Sequence, residues 1–298
     1  MKLKKKKLLK VSLITVACLA VVYLGLSALG SRVAMVIPRI PVTFQAGDIG
    51  VAYEDVSFKT RTNDLTLKGW FLPGEKEQVI VLVHGGFQNR IDKNADTPGL
   101  ARALVEKGYN VLLFDLRGRG ESEGRGITLS NYDEDLGGVV DYLKARGFET
   151  EDICLMGFCS GATMACLYGS GNEVGSLILD GCFIDAGTMV VRQAQYIHLP
   201  GWIARLFIPG GTFFTYALYG FHRVDAISVI HNVKCPILFI HEEFDPFTTK
   251  EETERLFSRA TNPAKRIWEA SGAIHSQGFT VHPQEYIEVV DNFLTSLP

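Results

Sequence analysis

A cysteine stands at the centre of Gly157-Phe158-Cys159-Ser160-Gly161. Before it lies an apolar strand-like run, Ile153-Cys154-Leu155-Met156, and after it Ala162–Leu167, small residues that read as a helix. Strand, Gly-flanked turn and helix make the elbow that lifts one side chain above a sheet edge and aims a helix N-terminus at the bound group. The glycines suit a strained turn whose helix passes close to neighbouring strands. A thiol at that point predicts covalent acyl chemistry through a thioester. Asp245 follows the apolar run Ile237–Ile240 in His241-Glu242-Glu243-Phe244-Asp245-Pro246, and His275 ends Ser271-Gly272-Ala273-Ile274-His275, after the strand-like Arg266–Glu269. The chain order is nucleophile, acid, histidine. His275 would take the Cys159 proton, protonate the leaving group and later activate water, while Asp245 fixes its tautomer and stabilises the imidazolium. Oxyanion donors are expected from the backbone N–H of Ser160 and from Gly86 or Phe87 in His84-Gly85-Gly86-Phe87. Losing one such donor typically costs about 3 kcal/mol.

A thiol ionises closer to neutrality than a hydroxyl, so Cys159 and His275 are expected to rest as a thiolate–imidazolium pair. Such a nucleophile also leaves readily, which suits esters, lactones and thioesters better than amides. It is oxidisable. Asp180, after the run Leu177–Leu179, is a second candidate acid that otherwise reads as a loop cap. Ser160 is one residue past the elbow and should point elsewhere. His84 is expected to shape its loop, His241 to begin a turn and His282 to open the final helix region. His198, His222 and His231 fall in or beside an insertion, where they read as surface or packing. Glu242, Glu243 and the lysine-rich tail read as solvated charges.

These groups need strand ends to hold them. Val51–Phe58 and Leu65–Leu72 read as an antiparallel pair, and Val79–Val83, Val111–Phe114, Ile153–Met156, Leu177–Leu179 and Ile237–Ile240 as buried strands, with Arg266–Glu269 the last. Helices are expected at Pro98–Lys107, Tyr132–Ala145, Glu251–Arg259 and Gln284–Leu297. Leu136, Val139, Val140 and Leu143 form one stripe of the second. The β-α alternation predicts a doubly wound, mostly parallel sheet. It breaks between Asp185 and Val233, where Trp202, Phe207, Phe213, Phe214, Tyr216, Tyr219 and Phe221 suggest a helical cap over the sheet.

Of the 298 residues, 47% are hydrophobic and 21% charged, which suits one sizeable domain. Six of the 30 basic residues lie in residues 1–10 without an acid, leaving 24 basic against 33 acidic in the rest, a net of −9. An acidic body argues against nucleic-acid binding. Val11–Leu29 carries no charge and is long enough as a helix to cross a hydrocarbon core of about 30 Å. The basic flank before it predicts a cytoplasmic N-terminus and an extracytoplasmic body. A cleaved signal peptide, with Ala28-Leu29-Gly30 as its site, is the rival reading. The expected organisation is a basic tail at 1–10, the span at 11–29, a linker at 30–46 and a catalytic domain at 47–298 with its cap about 186–233. Four of the six cysteines (154, 166, 182 and 235) fall in apolar patterns as packing thiols. Metal-ligand spacing and CxxC pairs do not occur, so no metal or organic cofactor is implied.

His84-Gly85-Gly86, Asp115-Leu116-Arg117-Gly118-Arg119-Gly120-Glu121-Ser122, the Cys159 elbow, Asp245-Pro246 and His275 together resemble the α/β-hydrolases over residues 50–298. The body is similar to serine-aminopeptidase-type and lysophospholipase-type members, and the cysteine to that of dienelactone hydrolases, polyhydroxyalkanoate synthases and bile-acid acyltransferases. The resemblance implies an α/β-hydrolase fold with a cap, and Arg117 and Gly118 in a loop-shaping role. It implies a membrane-anchored hydrolase of carboxylic esters or related activated acyl bonds, acting on a small, apolar acyl substrate. An acyltransferase using the same thioester is the alternative, and a catalytically silent lipid- or peptide-binding member is a third. Oligomeric state and substrate identity are not legible in the chain.

Overall fold

Short apolar runs bounded by turn residues become strands covered on both faces, as parallel strands flanked by helices must be. The computed structural model describes residues 2–62, 64–127, 129, 131–220 and 225–297, and among these one sheet has eight strands. They are β1 (Glu54–Lys59), β2 (Thr66–Leu72), β3 (Val79–Val83), β4 (Asn110–Phe114), β5 (Ile153–Phe158), β6 (Ser176–Asp180), β7 (Ile237–Glu242) and β8 (Lys265–Ala270). Their spatial order is β1-β2-β4-β3-β5-β6-β7-β8. β1 pairs antiparallel to β2 and β2 to β4, and every later pairing is parallel. Winding therefore reverses between β3 and β5, and open sheets of this kind bind ligands beyond the strand C-termini at such a point.

The helices are α1 (Lys2–Met35), α2 (Thr97–Glu106), α3 (Tyr132–Ala145), α4 (Ser160–Gly169), α5 (Ala186–Tyr196), α6 (Gly201–Tyr219), α7 (Ala226–Val229), α8 (Lys250–Arg259), α9 (Gly278–Val281) and α10 (Pro283–Thr295). Alternation along β3 splits the core in two. Val79, Val81 and Val83 join α3, α4 and α8, with the stripe Leu136, Val139, Val140 and Leu143 buried among them. Ile80 and Leu82 join Leu100 and Leu104 of α2 and Val290 and Phe293 of α10 on the other face. Local signals set the helix starts. Asp96 accepts from Gly99 N ahead of α2, and Thr249 and Glu252 form a capping box on α8.

The first helix runs six residues past the expected end of the span, because Ser31 and Met35 are buried. Its stretch Lys6–Met35 is long and apolar enough to cross a membrane by length and composition. The segment after it is strapped to the body. Ile37 is buried and its N–H donates to Gly126 O at 3.1 Å, and Arg39 donates to the carbonyls of Gly120 (2.9 Å) and Ser122 (2.6 Å). Helices α5, α6 and α7 occupy the expected cap region between β6 and β7, where Phe221 and His222 lie outside the described residues.

Candidate active site

Cys159 occupies the turn between β5 and α4 with φ 57° and ψ −124°, a left-handed conformation that costs a non-glycine residue about 1–3 kcal/mol. The Cys159 N–H donates to Asp180 O at 2.9 Å, tying the turn to the end of β6. A methyl at Gly157 would overlap Gly161 O and Ala162 N, and one at Gly161 would overlap Val83 O and His84 O. Both glycines are therefore required by the close passage of α4 across the strand ends. The thiol is half-buried, on the same side as the loops that follow β3, β7 and β8.

Those loops bring His275 and Asp245 together. His275 Nδ1 lies 2.6 Å from Asp245 Oδ2, with the carboxylate fully buried. Asp245 also accepts from Phe247 N (2.7 Å), Thr248 N (3.0 Å) and the Thr248 hydroxyl. Burial alone would raise the Asp245 pKa, but the His275 hydrogen bond and charge outweigh it and hold the carboxyl below its usual range. Burial likewise opposes charge on His275. The neighbouring Cys159 and Asp245 overcome that and raise the imidazole well above its ordinary value. His275 Nε2 is buried without a hydrogen-bond partner among the described residues. Phe183 and Phe247 flank the ring, with centroids 5.7 and 5.0 Å away.

The His84-Gly85-Gly86-Phe87 loop lies against the elbow. A Cβ at Gly85 would sit 3.8 Å from Cys159 Sγ, and one at Gly86 would sit 2.9 Å from Ser160 Oγ. Gly85 N–H is taken by Asp92 Oδ2 at 3.1 Å. Ser160 is the first residue of α4, where the N–H groups have no intrahelical acceptor. Its hydroxyl is buried and lies close to Gly86. The Phe87 ring is half exposed. His84 accepts from Leu116 N at Nε2 and meets Gly85 O at Nδ1, and burial lowers its pKa to about 4, so it acts as a neutral brace. Arg117 binds Asp135 (2.7 Å) and Glu134 (2.7 Å), which accords with a shaping role for its loop.

Two acids differ from their expected roles. Glu242, read as a solvated charge, is the last residue of β7 and fully buried; the strand runs two residues further than its apolar run. Asp180, the second candidate acid or else a loop cap, ends β6 and accepts from Tyr286 OH at 2.7 Å, while His275 bonds to Asp245. Burial raises both carboxyls, and the proximity of Asp180 raises Glu242 further. Donor atoms of Glu242, Asp245 and His275 lie within 4.8 Å of one another, close enough for a metal. The Asp245 oxygen is already engaged by His275 and Thr248, while both Glu242 oxygens are buried without a hydrogen-bond partner among the described residues.

A cavity of about 960 Å³ lies between α1, α5 and α6 and is not lined by Cys159, Asp245 or His275. Of the cap aromatics, Phe207 reaches it, while Trp202 and Phe213 face outward.

Comparison with known proteins agrees with this architecture. A family model described as Serine aminopeptidase, S33 matches residues 74–213. The uncharacterized protein YqkD of Bacillus subtilis is 27% identical over 241 residues, covering 78% of this chain and 76% of that one. A polyketide transferase from Penicillium sp is 32% identical over 114 residues, 37% of this chain and 38% of that one. The Pyrococcus furiosus esterase Pf2001 superposes with a TM-score of 0.75 at 26% identity, covering 88% of this chain and 98% of that one. With its eight-stranded sheet and esterase-like body, the chain belongs to the α/β-hydrolase superfamily and is an enzyme of the hydrolase class.

Proposed function

We propose that the protein is a membrane-tethered hydrolase of esters and related activated acyl bonds, with Cys159 as nucleophile, His275 as general acid–base and Asp245 as its orienting carboxylate. The observation that carries this is the left-handed Cys159 beside an imidazole whose proton is held by Asp245 at 2.6 Å. The raised proton affinity of His275 supports a resting imidazolium facing the sulfur. The thiolate attacks the acyl carbon, and the oxyanion forms against the N–H of Ser160 and that of Gly86 or Phe87. The imidazolium protonates the departing alkoxide, leaving a thioester on Cys159. Neutral His275 then takes a proton from water, whose oxygen attacks the thioester. Collapse releases the acid and restores the thiolate–imidazolium pair.

A chromogenic short-chain ester should give a pre-steady-state burst and an acyl adduct on Cys159. Cys159→Ala should lower kcat/KM by about 10³-fold or more. Undiminished turnover in that variant would remove the assignment. The match to a polyketide transferase favours acyl transfer as a second reading. Adding alcohol or amine acceptors separates the two, since transfer diverts product from the free acid.

The tether is α1, uncleaved, with its basic end in the cytoplasm and the catalytic body outside. Its seating supports retention: Tyr23 and Ser27 meet α6, and cleavage at Ala28-Leu29-Gly30 would remove both.

A further inference from the structure

Helix α6 meets α1 in the manner of a membrane helix pair. Tyr23 OH donates to Leu206 O (3.1 Å) and accepts from Gly210 N (3.2 Å). Those two backbone groups, four residues apart, would otherwise bond to each other across Pro209, so the hydroxyl completes a helix ladder it has entered. A Cβ at Gly210 would overlap Ser27, and Ser31 Oγ lies 3.0 Å from Thr215 Oγ1. Small residues at the crossing and hydroxyls bonded between helices are what holds helices together where lipid offers no hydrophobic drive. Residue numbers rise together along both helices, from Tyr23 with Leu206 to Ser31 with Thr215, so α6 runs parallel to α1. Tyr23 is six residues before Leu29, about 9 Å inside the apolar span by helix rise.

The far side of α6 has the matching chemistry. Trp202, Leu206, Pro209, Phe213 and Tyr216 recur at helical spacing on one face and all are exposed, Trp202 at 67%. The turn from α5 adds exposed Tyr196, Ile197 and Leu199. From Gln193 to Gly220 the only charged residue is Arg205, whose long side chain can reach towards headgroups. Backbone cost is met too. The N–H groups of Ile197, His198 and Leu199 find acceptors at Gln193, Gln195 and Ala194, as an irregular turn in an apolar medium requires.

We infer that α6 and the α5–α6 turn insert into the leaflet that α1 crosses, with a lipid bilayer as the partner of the Trp202–Tyr216 face. One wall of the 960 Å³ cavity then lies at leaflet depth. The inference rests on reading α1 as an uncleaved anchor, and the test separates the two. Full-length protein is placed in phosphatidylcholine vesicles whose lipids carry bromine on the upper acyl chain. The Trp202 emission is taken as the difference between wild type and Trp202→Phe, a mild exchange at an exposed site. Insertion alongside the apolar span of α1 predicts about twofold quenching of that component. An unquenched Trp202 in protein that resists an alkaline carbonate wash overturns the inference and leaves the anchor standing. Release of the protein by the wash overturns both. Trp202 shielded from bromine by a cross-linkable second copy also overturns insertion.

Discussion

Glu242 illustrates what a single side chain can hide. An acid two positions past an apolar run looks like any solvated loop charge, but β7 carries it beneath the His275–Asp245 pair, beside Asp180. Both carboxyls have folded pKa values above their unfolded values near 4. The folded chain therefore binds more protons than the unfolded one, and stability falls as pH rises from about 4 through the raised values. Glu242→Gln keeps the shape and removes the buried proton linkage. Thermal melts should show the variant gaining on wild type at pH 8 by about 2 °C or more, with a smaller gain at pH 5. Equal offsets at the two pH values would count against a raised Glu242 carboxyl. By contrast, the residue types and chain order of Cys159, Asp245 and His275 were legible, because strand-turn-helix patterns announce strand ends.

Among the elements, the β5–α4 elbow bears the tightest constraint. The Gly161 Cα abuts the carbonyls of Val83 and His84, so the Cys159 turn and the loop after β3 are held at one spacing. Gly161→Ala must push them apart, and overpacking of this kind should cost about 2–3 kcal/mol. Chemical denaturation measures that loss, and esterase activity should fall more than stability alone explains because both loops move. A fully active variant of unchanged stability would show that the two loops are not coupled. Helix α6 is the element least legible beforehand. Its aromatics suggest a cap, but their division between α1 and the outside depends on which face meets Tyr23 and Ser27.

At the scale of the molecule, the segment after α1 is a strap. Arg39 is exposed, yet its guanidinium spans carbonyls from Arg119 to Gly124 in the loop whose Asp115 binds buried Arg90. That loop in turn touches the segment after β3, since Arg119 Nε donates to Gly86 O at 3.1 Å. Arg39→Ala should lower stability by about 1–2 kcal/mol, read as a drop of a few degrees in Tm. No change would mean the strap is held by Ile37 alone.

Periodicity and turn residues alone determined the order of strands and helices, the parallel sheet and the candidate nucleophile, acid and histidine, because each is written in neighbours a few positions apart. Tertiary structure decided the rest: that His275 meets Asp245 and not Asp180, that Glu242 and Asp180 share a buried corner, that residues 36–46 bind the body, and that α6 lies along α1. Those outcomes join residues 30 to nearly 200 positions apart. Burial and partner geometry, set only when the sheet closes its layers, decide whether a charge meets solvent or a buried partner.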